Sequence, residues 1–547
     1  MAGAAALLWF GARALTRNPV AVTLIVTLGL VVISGTLLAV RRFWDERREA
    51  SGHIPLGLAT PEEIHVQAGH ERLRDKALHQ RPSLSEAEVE AAPLEDLGWY
   101  LGEGPDGTPI YAAMEDQILI YGKTGAGKDA YFAVPAVLSA PGPVVLTTTK
   151  ADILDVIAGP RGRRGRIWVF DPLDQASWPD PMVWNCLRGC ERDTVARARG
   201  KAFTAGIATS KSGNEAFFKD TAAAAIQYMM HAAALGDLTM RDVTSWAMNL
   251  DRGAETPQRI IRSSSHPLAE HLWADMLRTV STGADDTVAS TRVTLRGALD
   301  PISSGRVMDS LVPHAGAAEF DVHAFVESTD TLVLLSDANS LTNVAPLTTM
   351  LLQEVVDVGK EVARTKPRHL LDPPMRFVGN EIANVAPIPN LPEIYTDSRG
   401  YGMQWIGFVQ SDTQLEAKWG PEGAGTLQGQ AEFEIVLPGL KRQPALERFS
   451  ALVGSVDVSE SSASTSSAGV MQGMTTSTRE QRILRPEEVR KLLGERSALV
   501  IPARGEPMIL RLTPWWEGPE GAKLSAQAER VAAQRAATAS ARAKAVA

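Results

Sequence analysis

One glycine-rich segment constrains the fold of this chain more than any other feature. The apolar run Gln117–Tyr121 (QILIY) leads into GKTGAGK, and a helical pattern, AYFAVPAVL, follows. A G-x-x-x-x-G-K loop between a strand and a helix predicts phosphate binding, because its glycines let backbone N–H groups converge on phosphate oxygens at a positive helix end. We therefore predict a nucleotide site at Gly122, Lys123, Thr124, Gly125, Ala126, Gly127 and Lys128, with Lys128 neutralising the outer phosphates.

Apolar runs that alternate with helical patterns predict the rest of the fold. Besides QILIY, the runs are Pro143–Thr147, Ile167–Phe170, Thr331–Leu335, Met375–Val378, Gln404–Val409, Phe433–Leu437 and Ala498–Ile501. Continuous apolar strands separated by helices are typical of a parallel sheet covered on both faces. The predicted fold class is therefore α/β, with a P-loop parallel-sheet domain.

The sequence also predicts five regions. These are a membrane anchor (1–44), a juxtamembrane linker or adaptor (45–95), the nucleotide-binding domain (96–191 and 307–515), an all-α insertion (192–306) and a flexible tail (516–547). The insertion is predicted because no strand-like run interrupts its helical spacing. Ser455–Thr478, which is rich in Ser and Thr, is predicted to be a flexible loop.

The anchor prediction depends on Val20–Val40, which contains no charged residue. As a helix this segment would extend roughly 30 Å, the thickness of a hydrocarbon core. Arg41 and Arg42 follow it, which predicts that the rest of the chain is cytoplasmic. We expect a cell-membrane protein with a single-pass anchor, or with a hairpin that also uses Ala4–Gly11.

Charge and cysteine content exclude several protein classes. A net charge of -9 argues against a protein that coats nucleic acid with its whole surface, so any DNA contact must be local. The densest basic loop, PRGRRGR, could contact DNA phosphates or could simply be solvated; its arginines are Arg161, Arg163, Arg164 and Arg166. Two cysteines, Cys186 and Cys190, cannot form a disulfide framework and are predicted to be reduced thiols.

Two positions differ from the usual chemistry of a P-loop site. Asp129 stands where a hydroxyl residue normally binds Mg²⁺, and the strand end MRFVGNE places Asn380 before Glu381. Glu381 can polarise an attacking water, whereas Asn380 brings no charge to a metal. Asp129 and Asn380 could form a compensating Mg²⁺ pair that keeps the site charge unchanged, or both could mark a site that is losing hydrolysis.

Two further polar residues are candidates for catalysis. Gln410 follows the run QWIGFV and could orient water or sense the γ-phosphate. Arg399 lies in DSRGYG and could reach the nucleotide of a neighbouring subunit, as arginine fingers do. A structural hydrogen-bonding role is an equal alternative for each residue.

Four ordered blocks together resemble the TraG/TraD-like coupling ATPases of conjugative type IV secretion. They are IYGKTGAGKDAYFAVPAVLSAPGPVVLTTTKADILD, RGRIWVFDPLD with PMVWNCL, NEIANVAPIPNLPEIYTDSRGYGMQWIGFVQSDTQLEAKWG, and RILRPEEVRKLLGERSALVIPARGEPMILRLTPWW. The resemblance covers about residues 95–515. It implies a membrane-anchored RecA-like motor with an all-α insertion that forms a homo-hexamer.

The resemblance also implies function. Members use ATP and Mg²⁺ to bring DNA with its bound relaxase to the subunits of a secretion channel. Carried over, Gly122–Lys128 would be the nucleotide loop, Glu381 the catalytic carboxylate and Gln410 the sensor. Two alternatives remain: a docking scaffold that binds nucleotide but hydrolyses it poorly, and an FtsK-like DNA translocase.

Overall fold

The computed structural model describes residues 57–205, 215–264, 268–336, 343–465, 471–491, 494 and 496–546. Its strands are β1 Gly98–Glu103, β2 Pro109–Ala113, β3 Ile118–Tyr121, β4 Val144–Thr148, β5 Ile167–Phe170, β6 Met182–Val183, β7 Ala318–Glu319, β8 Thr331–Leu335, β9 Met375–Asn380, β10 Met403–Val409, β11 Phe433–Val436, β12 Ser455–Thr465, β13 Met471–Arg482, β14 Ser497–Pro502 and β15 Met508–Arg511.

Eleven of these strands form one sheet in the order β2-β1-β15-β14-β11-β3-β10-β9-β4-β8-β5. From β11 to β5 every neighbouring pair is parallel, whereas β14, β15, β1 and β2 extend the sheet in antiparallel pairs. The central strands β3, β4, β9 and β10 are buried along their whole length, as expected of strands covered on both faces. The predicted mixed α/β fold with a largely parallel sheet is therefore confirmed.

The helices account for most of the remaining described residues. They are α1 Pro61–Ala68, α2 His70–Gln80, α3 Glu86–Ala91, α4 Val134–Ser139, α5 Asp152–Arg161, α6 Asp193–Ala205, α7 Glu215–Leu235, α8 Met240–Met248, α9 Leu250–Gly253, α10 Glu255–Ser263, α11 Leu268–Thr282, α12 Asp285–Leu299, α13 Gly305–Asp309, α14 Val322–Val326, α15 Ala345–Thr365, α16 Ile382–Val385, α17 Leu391–Ser398, α18 Asp412–Gln430, α19 Gln443–Val453, α20 Pro486–Lys491 and α21 Gly521–Val546.

Helices α6 to α13 follow one another without an intervening strand in the described residues between β6 and β7. The buried residues of this region are apolar and recur every three or four positions, as Ala222, Ile226, Met229 and Ala233 of α7 show. This arrangement is what the helical spacing of the region predicts. The domain limits at 192 and 306 remain a prediction, as do the other limits proposed above.

The segment predicted as a linker differs from the structure. Helices α1 and α2 pack on β2, and Ile64, Ala68 and Leu73 are buried. Arg72 donates two hydrogen bonds to the Asp116 carboxylate, at 2.9 and 3.0 Å. The charged composition of this segment reflects ion pairs with the sheet domain, which composition alone cannot distinguish from solvation.

Two C-terminal segments also differ from the predictions. The predicted Ser/Thr-rich loop contains the antiparallel hairpin β12–β13, which pairs from Ser455 with Arg482 onward. The predicted flexible tail is the helix α21, which packs on α5. Arg535 donates from Nε to the Ala176 carbonyl at 2.6 Å and from Nη1 to Asp155 at 2.6 Å. The charged residues that suggested fraying are the ones that attach this helix.

The membrane localisation is corrected by the structure. No helix of the described residues is long and apolar enough to cross a membrane. Charged side chains recur along the long described helices, as in α15, which contains Glu354, Asp357 and Lys360. The predicted anchor Val20–Val40 lies outside the described residues. The predicted membrane localisation is therefore not confirmed, and the structure gives no support for the anchor.

Both cysteines are free and fully buried. Burial raises the pKa of Cys186 to about 12 and that of Cys190 to about 11. The raised values mean that the thiols are neutral at physiological pH. The guanidinium of Arg199 donates to the Cys190 sulfur at 3.5 Å, so these thiols belong to the packed base of the helical region.

Candidate functional site

The carboxyl ends of the parallel strands meet at one edge of the sheet. Tyr121 of β3, Thr148 of β4, Asn380 of β9 and Val409 of β10 are the last residues of adjacent strands there. In open α/β sheets this edge is where ligands bind. The predicted phosphate loop begins at this edge, directly after β3.

Positive backbone angles shape the loop between β3 and the helix that follows. Gly125 has φ of +81° and Gly127 has φ of +80°, a region that glycine adopts without steric cost. The turn is closed by a hydrogen bond of 3.1 Å from the Ala126 N–H to the Lys123 carbonyl. Lys123, Thr124 and Gly125 are exposed, so the outer side of the loop is open to a ligand.

Gly122 is required for a different reason, namely close packing. A Cβ added at Gly122 would lie 2.8 Å from Cδ1 of Leu437 and 3.3 Å from Cγ of Lys128. Leu437 follows β11, which pairs with β3, so the loop is pressed against the neighbouring strand end. A side chain at Gly122 would push the loop away from the sheet.

The helix after the loop starts with a widened turn. Residues Asp129–Ala133 form a π-helical turn, and the Val134 N–H bonds to the Asp129 carbonyl five residues earlier. Pro135 explains this geometry, because proline has no N–H to donate and its ring would collide with the carbonyl four residues before it. The widened turn lies at the residue that stands in the metal-binding position, a common location for π-bulges.

Lys128 is held inside the loop. Its side chain is 8% exposed, and Nζ donates a hydrogen bond of 2.9 Å to the Gly122 carbonyl. Burial lowers the pKa of Lys128, and the nearby carboxylates of Glu381 and Asp129 oppose that shift. The ammonium therefore lies beside the amides that would surround a phosphate.

Asp129 and Asn380 are in direct contact. Nδ2 of Asn380 donates a hydrogen bond of 2.7 Å to Oδ1 of Asp129. Burial raises the pKa of Asp129, and the hydrogen bond from Asn380 opposes the shift. Both side chains offer oxygen atoms, the ligand type that Mg²⁺ prefers. The two unusual residues of the motif thus fit a magnesium ion as a pair.

Glu381 has a strained backbone. It directly follows β9 with φ of 63° and ψ of 39°, a left-handed conformation that is uncommon for a residue with a side chain. Strained residues of this kind occur preferentially at functional sites. The conformation turns the chain sharply at the strand end, one residue after Asn380.

Two charged residues of this edge were missed by the sequence reasoning. Lys150 and Asp152 follow β4, and both interact electrostatically with Asp129: Lys150 lowers its pKa and Asp152 raises it. They belong to the quoted block TTTKADILD. Their position at the end of a strand next to β9 was the available signal.

The structure separates the two other candidates. Gln410 follows β10 and lies at the same edge as the phosphate loop, where its N–H bonds to Oε1 of Gln414 at 3.0 Å. Arg399 precedes β10 and therefore lies at the opposite edge. There its Nη2 donates to Glu115 at 2.7 Å, and its side chain is 50% exposed. Arg399 does not join the phosphate loop of its own chain.

The basic loop PRGRRGR contains one buried arginine and three exposed ones, Arg163, Arg164 and Arg166. Arg161 is buried and donates to Oγ1 of Thr331 at 2.8 Å and to the carbonyls of Ala140 at 2.7 Å and Gly142 at 3.0 Å. Arg164 donates to the same Ala140 carbonyl at 3.0 Å. Arg161 therefore has a structural role, whereas a DNA contact of the three exposed arginines stays a prediction of the sequence.

Residues 374–493 match a family model described as the TraM recognition site of TraD and TraG. The chain is TraG/TraD-like. This confirms the resemblance drawn from the four sequence blocks, two of which overlap the matched residues. No curated protein sequence matches the TraG/TraD-like chain.

Solved structures similar to the TraG/TraD-like chain share its fold. The bacterial conjugative coupling protein TrwBdeltaN70, in an unbound monoclinic form, has a TM-score of 0.54 and 17% identity, covering 76% of this chain and 88% of that chain. The plasmid coupling protein TrwB in complex with ADP and Mg2+ has a TM-score of 0.53 and 16% identity, with the same coverage of 76% and 88%. At this identity the likeness shows the fold alone.

Proposed function

We propose that this chain is a coupling ATPase of conjugative DNA transfer, which binds ATP with Mg²⁺ at the Gly122–Lys128 loop. The observation that carries the proposal is the convergence of this loop, the Asp129–Asn380 pair and Glu381 on one sheet edge. The TraG/TraD-like match and the fold shared with TrwB, a conjugative coupling protein solved with ADP and Mg2+, support it.

In this proposal each residue has a separate role. The loop amides and Lys128 bind the phosphates, and Lys128 exchanges the Gly122 carbonyl for a phosphate oxygen. Asp129 and Asn380 would hold Mg²⁺, which when bound supplies charge neutralisation at the phosphates. Glu381 orients and polarises the attacking water, and Gln410 senses the γ-phosphate from the end of β10.

The proposed assembly follows from the position of Arg399. Because Arg399 lies at the opposite edge, it would reach a nucleotide only in a neighbouring copy, as in a ring of subunits. A homo-hexamer, delivery of a relaxase bound to DNA, and contact with secretion-channel subunits complete the proposal. The TraM recognition description of residues 374–493 supports a role for this region in partner binding.

One observation favours a second candidate, a docking scaffold that binds nucleotide and hydrolyses it poorly. Asn380 brings no charge and already donates its N–H to Asp129, so the metal pair carries one carboxylate, and burial opposes its ionisation. A scaffold of this kind would use nucleotide for assembly, and another subunit would supply the energy.

Steady-state ATP hydrolysis by the full chain, with and without single-stranded DNA, separates the two candidates. We expect DNA-stimulated turnover that Glu381→Gln lowers by about 100-fold or more, since this change removes the group that polarises water. Glu422→Gln, an exposed residue of α18, is the matched control and should leave turnover unchanged. Sedimentation of the same samples records their assembly state.

ATP binding without turnover in an assembled sample would favour the scaffold. Equal turnover in the wild-type chain and the Glu381→Gln variant would remove Glu381 from the reaction. Absence of nucleotide binding in every sample would contradict both candidates.

A further inference from the structure

A second cleft opens beside the phosphate loop, between the ends of β3, β10 and β11. It has a volume of about 350 Å³. Its lining residues are Tyr121, Lys123, Gln410, Ser411, Asp412, Gly439, Leu440, Lys441, Arg442 and Ala445. Lys123 and Gln410 connect this cleft to the edge that carries the phosphate loop. No function has so far been proposed for the segment from Gly439 to Ala445.

The side chain of Lys123 points into this cleft. A Cβ added at Gly439 would lie 3.0 Å from Cε and 3.4 Å from Nζ of Lys123, so the lysine stem runs along the Gly439 backbone. Gly439 has φ of +91°, a conformation that disfavours any side chain. Lys123 is thus a residue of the phosphate loop whose charge is directed to the neighbouring cleft.

Two more cations and a helix end surround the same opening. Lys441 and Arg442 are exposed at its mouth. Arg442 is the N-cap residue of α19, which begins without a side-chain cap. In its first turn Gln443 and Ala445 offer N–H groups to an anion, whereas Pro444 has none. Asp412 is the acidic residue of the lining, and Gln428 donates to it at 3.3 Å.

Tyr121 forms the closed inner wall of the cleft. Its side chain is 1% exposed, and its hydroxyl lies near Gln428, the amide that also donates to Asp412. An anion in the cleft would therefore be held by the cations at the mouth rather than by the inner wall.

We propose that this cleft is a phosphate subsite for the DNA backbone. Cationic side chains at an exposed mouth suit a phosphodiester of a strand that runs past the site, rather than an enclosed small molecule. The inference rests on the proposed function, because it places the DNA contact beside the loop that would bind the nucleotide. Lys123 and Gln410 would then link occupancy of one site to the other.

Binding of a fluorescein-labelled 30-nucleotide single strand to the Lys441→Ala/Arg442→Ala variant tests the proposal. We expect the affinity at low salt to fall by about tenfold and the slope of log affinity against log salt to shrink by about 1.4, the value for two lost phosphate contacts. The full chain is used, and a fluorescent ATP analogue should bind within about twofold of wild type.

The matched control is Arg504→Ala/Arg511→Ala, which removes two exposed charges at the antiparallel end of the sheet. An equal loss of DNA affinity in this control, or no loss in the cleft variant, would overturn the proposal. So would a loss of tripolyphosphate and ATP affinity with DNA binding unchanged, which would make the cleft part of the nucleotide site. The single change Lys441→Gln provides a milder variant with the same expected direction.

Failure of the proposed function gives a different result. In that case wild type would not bind the ATP analogue, and Lys128→Ala would change nothing, whatever the cleft variants do. The two inferences can therefore fail separately.

Discussion

Two groups of cationic side chains, one at each edge of the parallel sheet, differ in what surrounds them. At the amino-terminal edge, Arg161 and Arg376 are both 1% exposed and saturated by internal acceptors. At the carboxyl-terminal edge, Lys123, Lys441 and Arg442 are exposed around a cleft. The residue types are similar, so the backbone groups around them determine whether they stabilise the fold or are available to a ligand.

The helical segment after the phosphate loop shows how backbone groups determine the role of a nearby cation. Its amino end, at Asp129, offers N–H groups, whereas its carboxyl end leaves carbonyls without helical partners. Arg161 and Arg164 bind the Ala140 carbonyl, and Arg376 binds that of Ala136 at 2.7 Å. Arginines at a helix carboxyl end also complement its negative dipole. One helical segment thus separates a structural edge from a ligand-binding edge.

Arg161→Met should produce the largest effect, a loss of stability of about 3–5 kcal/mol, because it leaves several buried carbonyls without donors. The burial that lowers the pKa of Arg161 to about 10 shows how enclosed this cation is. Thermal unfolding followed by circular dichroism measures the change. Arg163→Met, at an exposed position of the same loop, is the control. Equal midpoints for both variants would contradict the structural role.

Lys128→Ala should lower ATP affinity by about tenfold or more with the fold intact, because the loop loses its buried cation. Calorimetry measures the affinity, and the melting curve verifies the fold. Lys123→Ala should lose less, since its ammonium is directed to Gly439. If both variants bind ATP as wild type does, the loop assignment is wrong.

Asp129→Asn should produce the smallest effect, a melting midpoint raised by about 1–2 °C at pH 7. Burial raises the Asp129 pKa above the ordinary 3.8, so folding favours the protonated form. Ionising the buried carboxyl of Asp129 therefore lowers the free energy of unfolding. This loss develops as the pH rises from 3.8 through the raised pKa, and it is absent in acid. The gain of the variant should therefore disappear below about pH 4. A gain of the same size at every pH would indicate another cause.

The sequence predicted the carboxyl-terminal edge better than the amino-terminal edge. Apolar runs identified the parallel strands, and the glycine spacing located the loop, because both patterns are local. The role of Arg161 could not be predicted, since its acceptors at Thr329 and Thr331 are far away in sequence. Strands β1, β2 and β15 of the antiparallel end were missed, because their apolar runs are short and are flanked or interrupted by glycine, proline or charged residues.

The predictions of a flexible tail and of a Ser/Thr-rich loop were wrong because both segments are fixed by contacts that are distant in sequence. Helix α21 is rich in alanine and charge, a composition equally compatible with a free tail, and its attachment depends on Asp155 and Asp174. Strands β12 and β13 pair mainly with each other, so their Ser/Thr-rich pattern has no apolar face to reveal it. The roles of Glu381, Gln410 and Asn380 stay predictions of the sequence, to which the structure adds position and contact.

The burial of both native cysteines has a practical consequence for spectroscopy. Neutral, enclosed thiols react slowly with maleimides, so a cysteine introduced at an exposed site would be the preferred point of attachment. Dyes at Lys441 and at Arg504 could be attached without first replacing Cys186 or Cys190. The wild-type background would then report distance changes across the sheet while ATP and DNA are added.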